Sequence, residues 1–230
     1  MVNQEHSAMK VCTDACLFGA WVANKITTGK IAAPENVLDI GAGTGLLSLM
    51  LAQKTKILIE AVEIEENAFR ECSSNFSISP FADRLSVANN DIKTFNRFRN
   101  YDLIICNPPF FEDQLASEQA KKNIAKHSAG LTLDELIQAA ISYLSLTGNI
   151  AVLLPFERAS YFEQVANTFG LYTSHKMLLR QTPLHNYFRS FMILNREKKV
   201  ISEEEMIIKD NEGKYTDQFR ELLKDYYLHL

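Results

Sequence analysis

With 230 residues, 47% of them apolar and 23% charged, the chain has the composition of a globular protein, which excludes the disordered and fibrous classes. The formal net charge of −4 would weakly repel phosphate, so a nucleic acid would have to be held by a local basic patch. The chain has neither an eighteen-residue uncharged apolar run nor the features of a secretory leader, so we expect one cytoplasmic domain, residues 1–230, without a membrane partner.

From residue 36 onward, short aliphatic runs alternate with helical patterns, which is typical of βαβ units around a mostly parallel sheet. The predicted fold class is α/β, a Rossmann-like sheet of seven strands with helices on both faces. Strands are predicted at 37–40, 57–64, 85–88, 101–106, 150–154, 171–180 and 190–196, and helices at 46–53, 66–76, 132–144, 157–169 and 216–228.

Three further features complete the local predictions. A turn is expected at Thr147-Gly148-Asn149, and Glu203 to Glu205 are expected to form a solvated charge run. The four cysteines lack the paired spacing of a zinc site and the density of a disulfide framework. We therefore expect buried free thiols and no metal.

A glycine-rich segment lies between the first predicted strand and the first predicted helix, with glycines at Gly41, Gly43 and Gly45. Glycines at such a turn let the backbone bend sharply and let a ligand approach it closely. The pattern departs from the dinucleotide fingerprint because Leu46 occupies its third small position, and it lacks the Lys-Ser/Thr pair of a P-loop. Asp39 would repel a phosphate but suits a cationic amino group.

Two carboxylates follow the next strands at positions where a nucleoside could be held. Glu63 ends the second strand and can accept hydrogen bonds from both ribose hydroxyls, whereas Asp91, placed at the end of the third strand, can accept from an adenine amino group. Ile64 and Ile92 would flank the ring. A nucleoside with an amino acid tail and no phosphate is S-adenosylmethionine, which is the predicted cofactor.

The fourth predicted strand is followed directly by Asn107-Pro108-Pro109-Phe110. An exocyclic aryl amine is a weak nucleophile, and acceptors aimed at its N–H groups, here the Asn107 side chain and the Pro108 carbonyl, would favour the reactive form. The prolines remove competing N–H donors, and Phe110 offers a face on which a base can stack. These four residues are the predicted catalytic set, and Asn107 is also counted among the residues that line the cofactor. The alternative interpretation of the motif is a strand-terminating turn.

With both motifs in place, the chain resembles the class I N6-adenine methyltransferases, and within them the bacterial tRNA1(Val) (adenine(37)-N6)-methyltransferase family. The resemblance covers nearly the whole chain. It is carried by Ala8-Met9-Lys10-Val11, Thr13-Asp14, Gly19-Ala20-Trp21, the segment 37–46, Ala61-Val62-Glu63-Ile64, Asp102-Leu103-Ile104-Ile105, Asn107-Pro108-Pro109-Phe110 and the closing segment 215–228.

The resemblance implies a class I methyltransferase fold that methylates the adenine 3′ of the anticodon of a valine tRNA. It implies that Lys10 and Thr13 lie near the methionine part of the cofactor, with 1–35 an amino-terminal segment over that cofactor and 197–230 an extension that ends in a helix. An anticodon loop presents unstacked bases, which favours RNA over duplex DNA as the partner. No obligatory protein partner is inferred. Candidate RNA-binding residues are Lys121, Lys122, Lys126, His127, Arg180, His185, Tyr187 and Arg189.

Three other functions stay open on the sequence. The Asn-Pro-Pro-aromatic motif also serves enzymes that methylate a glutamine amide in a protein, because an amide nitrogen poses the same lone-pair problem. Methylation of guanine N2 in rRNA uses similar amine chemistry on another base edge. A noncatalytic scaffold that binds the cofactor or RNA is the third alternative, and it leaves the motif at Asn107 without a use.

Overall fold

The computed structural model describes residues 2–4, 11–96, 100–108 and 131–228. Six helices and eight strands occur within these ranges. In chain order they are α1 (Thr13–Thr27), β1 (Asn36–Ile40), α2 (Leu46–Lys54), β2 (Leu58–Glu63), α3 (Glu66–Ser77), β3 (Leu85–Asn89), β4 (Tyr101–Cys106), α4 (Leu133–Tyr143), β5 (Leu144–Pro155), α5 (Phe156–Thr168), β6 (Tyr172–Arg180), β7 (Tyr187–Asn195), β8 (Ser202–Ile207) and α6 (Asp217–Leu223).

All eight strands belong to one sheet, in the order β3-β2-β1-β4-β5-β7-β6-β8. The first five strands run parallel, β7 runs antiparallel to both of its neighbours, and β8 pairs in parallel with β6. The predicted α/β class with a mostly parallel sheet is confirmed, whereas the predicted count of seven strands is wrong by one. Over the described part of the chain, no helix combines the length and apolar character needed to cross a membrane.

Two apolar clusters cover the two faces of the sheet. Successive residues of β1 alternate between them, since Val37 belongs to one cluster and Leu38 to the other. The first cluster takes α1, α2, α3 and α6, and the second takes α4 and α5. Because both faces are covered, most residues of the central strands are apolar, with Asp39 of β1 as a buried charged exception.

Helix α1 is a core element, with eleven of its fifteen residues buried. Its Phe18 and Trp21 rings lie 5.4 and 5.9 Å from the ring of Phe191 on β7. Burying such rings is worth about 1.5–3 kcal/mol each. The amino-terminal helix thereby fixes the antiparallel end of the sheet.

The expected solvated charge run is wrong, because Glu204 and Glu205 lie in β8 and have specific partners. Glu204 pairs with Lys25 of α1 and also accepts a hydrogen bond of 3.2 Å from the Trp21 indole. Glu205 pairs with Arg180 of β6. The run of like charges is stable in a strand because a cation and a hydrogen-bond donor from α1 and a cation from β6 pair with it.

The expected turn at Thr147-Gly148-Asn149 is also wrong, because β5 continues through it with a register shift opposite Tyr101. A Cβ on Gly148 would stand 3.0 Å from the Tyr101 carbonyl oxygen, so the glycine serves a close approach between strands. The closing helix is shorter than predicted, ending at Leu223. Of the four thiols, Cys12 is exposed and the other three are buried as expected.

We expect Glu204→Ala to destabilise the protein by about 1–3 kcal/mol, because Lys25 is 5% exposed and would keep a buried charge without its carboxylate. The loss is smaller than for a fully buried pair, since the Glu204 side chain is 36% exposed. Urea unfolding followed by circular dichroism measures it. The neighbouring exposed Glu203→Ala is the matched control and should change stability by less than about 0.5 kcal/mol. Equal effects of the two variants would contradict the assigned role of Glu204.

Candidate functional site

The candidate site lies where β2, β1 and β4 end side by side. Ile40 is paired with Val62 on one side and with Cys106 on the other, so Glu63, Gly41 and Asn107 follow at the ends of three adjacent strands. The strand that follows β1 in sequence lies on one side of the β1–β4 pair, and the strand that follows β4 lies on the other side, so the strand order reverses between β1 and β4. Open α/β sheets bind ligands in the crevice at such a point.

The glycine loop is open on the crevice side. Gly41, Gly43 and Gly45 have φ values of 69°, 55° and 80°. A Cβ on Gly41 or Gly43 would meet no heavy atom within 4 Å, whereas a Cβ on Gly45 would stand 2.5 Å from the Phe76 ring. The first two glycines therefore leave room for a ligand, and the third lets α3 pack closely against the loop.

Glu63 is 8% exposed and accepts hydrogen bonds from two backbone amides. Its Oε2 accepts from Gly43 N at 2.8 Å, and its Oε1 accepts from Glu65 N at 2.9 Å. Each carboxylate oxygen has a second lone pair. Glu63 thus holds the loop and still has acceptor capacity for two hydroxyl groups.

Asp39 is fully buried beneath the loop. Its Oδ2 accepts from the amide and the hydroxyl of Ser48, at 3.2 and 2.6 Å, while its Oδ1 has no hydrogen-bond partner among the described residues. Burial raises the pKa of this carboxyl to about 6. A buried carboxylate oxygen with unused acceptor capacity favours a cationic group nearby and disfavours a phosphate, so the site fits the predicted cofactor.

The residues predicted to surround an adenine ring differ in exposure. Ile64 follows β2 and is 55% exposed, whereas Ile92 is 6% exposed and packs in the second apolar cluster. Asp91 lies two residues beyond the end of β3, which ends at Asn89, and not at its last position. Its Oδ1 accepts from Lys93 N at 2.9 Å.

Thr13 is the first residue of α1 and is exposed. Asn107 is half-buried and Pro108 is buried, directly after β4. The predictions for the remaining members of the catalytic, cofactor and RNA sets fall outside the described residues. These are Lys10, Pro109, Phe110, Lys121, Lys122, Lys126 and His127.

A second group of predicted residues lies at the same edge of the sheet but beyond β5. Arg189 is paired with Pro155, the last residue of β5, and Arg180 is paired with Tyr187. The structure thus brings Arg180, Tyr187 and Arg189 together, with exposed His185 in the connecting loop. The strands β4 and β5 separate this group from the glycine loop.

Both guanidinium groups in this second group are already paired. Arg189 Nε donates to Asp14 Oδ2 at 2.7 Å, and Arg180 pairs with Glu205. Tyr187 donates its hydroxyl to Glu205 at 3.1 Å, and desolvation together with the Glu205 charge raises the pKa of this phenol. The group is therefore less basic than its sequence suggests.

Several residues that shape the site were missed by the sequence analysis. Ser48 holds Asp39, and buried Asn75 donates to the Thr44 carbonyl at 2.9 Å, which fixes the end of the loop. Asp14 and Glu205 hold the two arginines. These are single polar residues inside helices and strands, and no spacing relative to the motifs could have identified them.

Comparisons with known proteins agree with this geometry. A family model described as methyltransferase small domain matches residues 22–176. The chain is 40% identical to a tRNA1(Val) (adenine(37)-N6)-methyltransferase of Dyadobacter fermentans, over 99% of this chain and 94% of that protein. It is 35% identical to a protein of the same name from Flavobacterium psychrophilum, over 100% of this chain and 97% of that protein.

The fold has solved counterparts as well. The crystal structure of a protein described as a predicted O-methyltransferase from Agrobacterium tumefaciens matches with a TM-score of 0.68. The match covers 94% of this chain and 98% of that one, at 14% sequence identity. It therefore shows that the two proteins share a fold.

We expect Gly45→Ala to destabilise the protein by about 2–4 kcal/mol, because it adds left-handed backbone strain and a clash with Phe76. Gly170→Ala is the matched control, since Gly170 also has a positive φ, 72°, but no heavy atom lies within 4 Å of its Cβ position. Chemical denaturation should show about 1–2 kcal/mol for the control. A cost for Gly45→Ala no larger than that of the control would refute the close packing of α3 on the loop.

Proposed function

Since the chain belongs to the methyltransferase small domain family, together with the tRNA1(Val) (adenine(37)-N6)-methyltransferases, we propose that it methylates N6 of adenine 37 in that tRNA. The methyl donor is S-adenosylmethionine. The observation that carries this function is the adjacency of the open glycine loop on β1 with Asn107-Pro108 on β4. A tRNA-modifying enzyme works where tRNA is, so the proposed location is the cytoplasm.

The amine-activating groups would be those at the end of β4. S-adenosylmethionine supplies a methyl group that is bonded to a positively charged sulfur. When an amine nitrogen takes up this methyl group, a neutral thioether and a proton are released. Asn107 and the Pro108 carbonyl would accept from the two N–H groups of the adenine amine, which favours the lone pair required for attack. Pro109 and Phe110 complete the proposed set, with Phe110 as the face for the base.

The cofactor would be held by residues at the ends of β1, β2 and β3. Glu63 would accept from the ribose hydroxyls, Asp91 from the adenine amine, and Ile64 would cover one face of the ring, with Ile92 beneath it. The cationic amino acid tail would lie on the open backbone of the glycine loop, where the negative charge of Asp39 would stabilise it. Lys10 and Thr13 stay proposed contacts of that tail.

The tRNA would approach the same edge of the sheet. The residues proposed to serve tRNA binding are Arg180, His185, Tyr187 and Arg189 in the described part, and Lys121, Lys122, Lys126 and His127 in the segment that follows β4. Loops above the carboxyl ends of the strands can select the substrate without changing the cofactor site. An unpaired adenine in an anticodon loop would enter at a smaller cost than a base within a duplex.

We expect Asn107→Ala to reduce methyl transfer to unmodified tRNA by about 100- to 1000-fold while leaving the dissociation constant of S-adenosylmethionine nearly unchanged. The reason is that Asn107 acts on the amine in the transition state and adds little to cofactor binding. Labelled transfer with nucleoside analysis measures the first quantity, and calorimetry measures the second. The exposed Asn167→Ala, on α5, is the control and should be fully active.

The two parts of the proposal fail separately in this experiment. A wild-type product other than N6-methyladenosine would refute the substrate assignment. An Asn107→Ala enzyme with full activity would refute the role of the motif while leaving the product unaffected.

We expect cofactor affinity to fall by up to about tenfold as pH drops from 7 to 5. Since the pKa of the Asp39 carboxyl is about 6, the carboxylate is ionised above that pH and loses its charge below it. The α-amino group of the ligand stays largely protonated over this range. Calorimetry across the range should show the decline in the wild type and a weaker, pH-independent constant in Asp39→Asn. Parallel pH profiles would exclude Asp39 as the responsible group.

A further inference from the structure

Phe156 is an aromatic residue exposed at the edge of the sheet that bears the site. It is the first residue of α5 and follows Pro155, the last residue of β5. Its side chain is 37% exposed, and its ring centroid lies 5.3 Å from that of Tyr187 at an angle of 43°. The ring thus packs on one partner and remains accessible to solvent.

Tyr187 is held in place by its own contacts. Its hydroxyl donates to Glu205 at 3.1 Å, and the Arg180 guanidinium lies 5.5 Å from its ring centroid. Arg180 is fixed in turn by Glu205 and by its 2.9 Å hydrogen bond to the Pro183 carbonyl. Phe156 therefore rests on a preordered support, so a ligand that stacks on it would not have to order the ring first.

The register of the sheet places Phe156 near the proposed reaction centre. Cys106 is paired with Val152, so Asn107 lies one residue beyond this pair and Pro155 three residues beyond it. Phe156 therefore lies three residues further along the strand direction than Asn107, and with about 3.3 Å per residue and about 4.8 Å between strands the two backbones lie roughly 11 Å apart. That separation suits a nucleotide next to the one at Asn107.

The charges around Phe156 favour a flat neutral ligand over a phosphate. Arg180 and Arg189 are the cations of this group, and both are neutralised by Glu205 and Asp14. A phosphate would have to compete with these carboxylates, whereas a base needs only the ring face. Every base has such a face, and stacking on aromatic side chains is a common way to hold unpaired nucleotides.

We propose that Phe156, supported by Tyr187, is the stacking site for an unpaired nucleobase adjacent to the target adenine. This inference rests on the proposed function. Phe156 touches the substrate, and Tyr187, Arg180 and Glu205 are positioning residues. Arg180 thereby acts on the substrate through Tyr187.

The first test compares substitutions at Phe156 with a matched control at the other end of the same helix. Phe169 follows the carboxyl end of α5, is 40% exposed and has no ring partner among the described residues. Phe156→Ala and Phe156→Leu should both lower kcat/KM for unmodified tRNA by about 5- to 100-fold, as expected for one lost stacking contact. Phe156→Trp should retain activity, Phe169→Ala should change nothing, and all four should bind S-adenosylmethionine like the wild type.

The leucine variant separates stacking from packing. Leucine fills most of the volume and remains apolar but has no π face, so a role in packing alone predicts that Phe156→Leu is as active as the wild type. That outcome would overturn the proposal. Equal losses in Phe156→Ala and Phe169→Ala would also overturn it.

The second test identifies the stacked base. An abasic nucleotide is introduced in turn at each loop position of the tRNA other than the target, and kcat/KM is measured with wild type and Phe156→Ala. At one position adjacent to the target, Phe156→Ala should lower kcat/KM for the abasic tRNA much less than it lowers kcat/KM for the intact tRNA, because both changes remove the same contact. Multiplying losses at every position would refute the stacking site. The wild-type product, analysed in the same reactions, tests the proposed function independently.

Discussion

The position of the glycine loop depends on two buried carboxylates, Asp39 and Glu63. Asp39 binds the amino-terminal turn of α2 through Ser48, and Glu63 binds the loop itself through Gly43 N. Burial of two anions close together is costly, and it raises the pKa of Asp39. The two carboxylates make the crevice electronegative, and a cationic ligand would supply the countercharge that they lack. Stability is thereby exchanged for binding, as is common at functional sites.

The adjacency of the glycine loop and the proposed catalytic motif is a consequence of sheet topology. Parallel strands end at one edge, and β1 lies between β2 and β4, so three segments far apart in sequence deliver Glu63, Gly41 and Asn107 to neighbouring positions. The two apolar clusters maintain that register, because a slip by one residue would turn the face of each strand toward the wrong cluster. Core packing on both faces therefore determines the geometry of the site.

The parallel half of the sheet was predictable because its signals are local. The aliphatic run 101–106 is bounded by polar residues, and β4 has those bounds; the glycine loop likewise follows β1 as predicted. The features that escaped prediction depend on long-range partners. The strand β8 is acidic in sequence and is stable only because Lys25, Trp21 and Arg180 meet it, and Gly148 resembles a turn residue until Tyr101 is placed beside it. The contact between Phe156 and Tyr187 has the same origin, since it depends on the pairing of β5 with β7.

The edge of the sheet that bears the site has two parts of different chemical character, and the boundary between them lies between β4 and β5. On the β3-β2-β1 side, carboxylates and open backbone suit a small cationic ligand. On the β7-β6-β8 side, aromatic rings and internally neutralised arginines suit the faces of bases. A protein with a net charge of −4 cannot rely on a general positive field to hold RNA, so recognition by stacking and by a few local cations is the arrangement that its composition permits. Asn107 lies between the two surfaces, at the position where the proposed function requires a methyl donor and an unpaired adenine to be brought together.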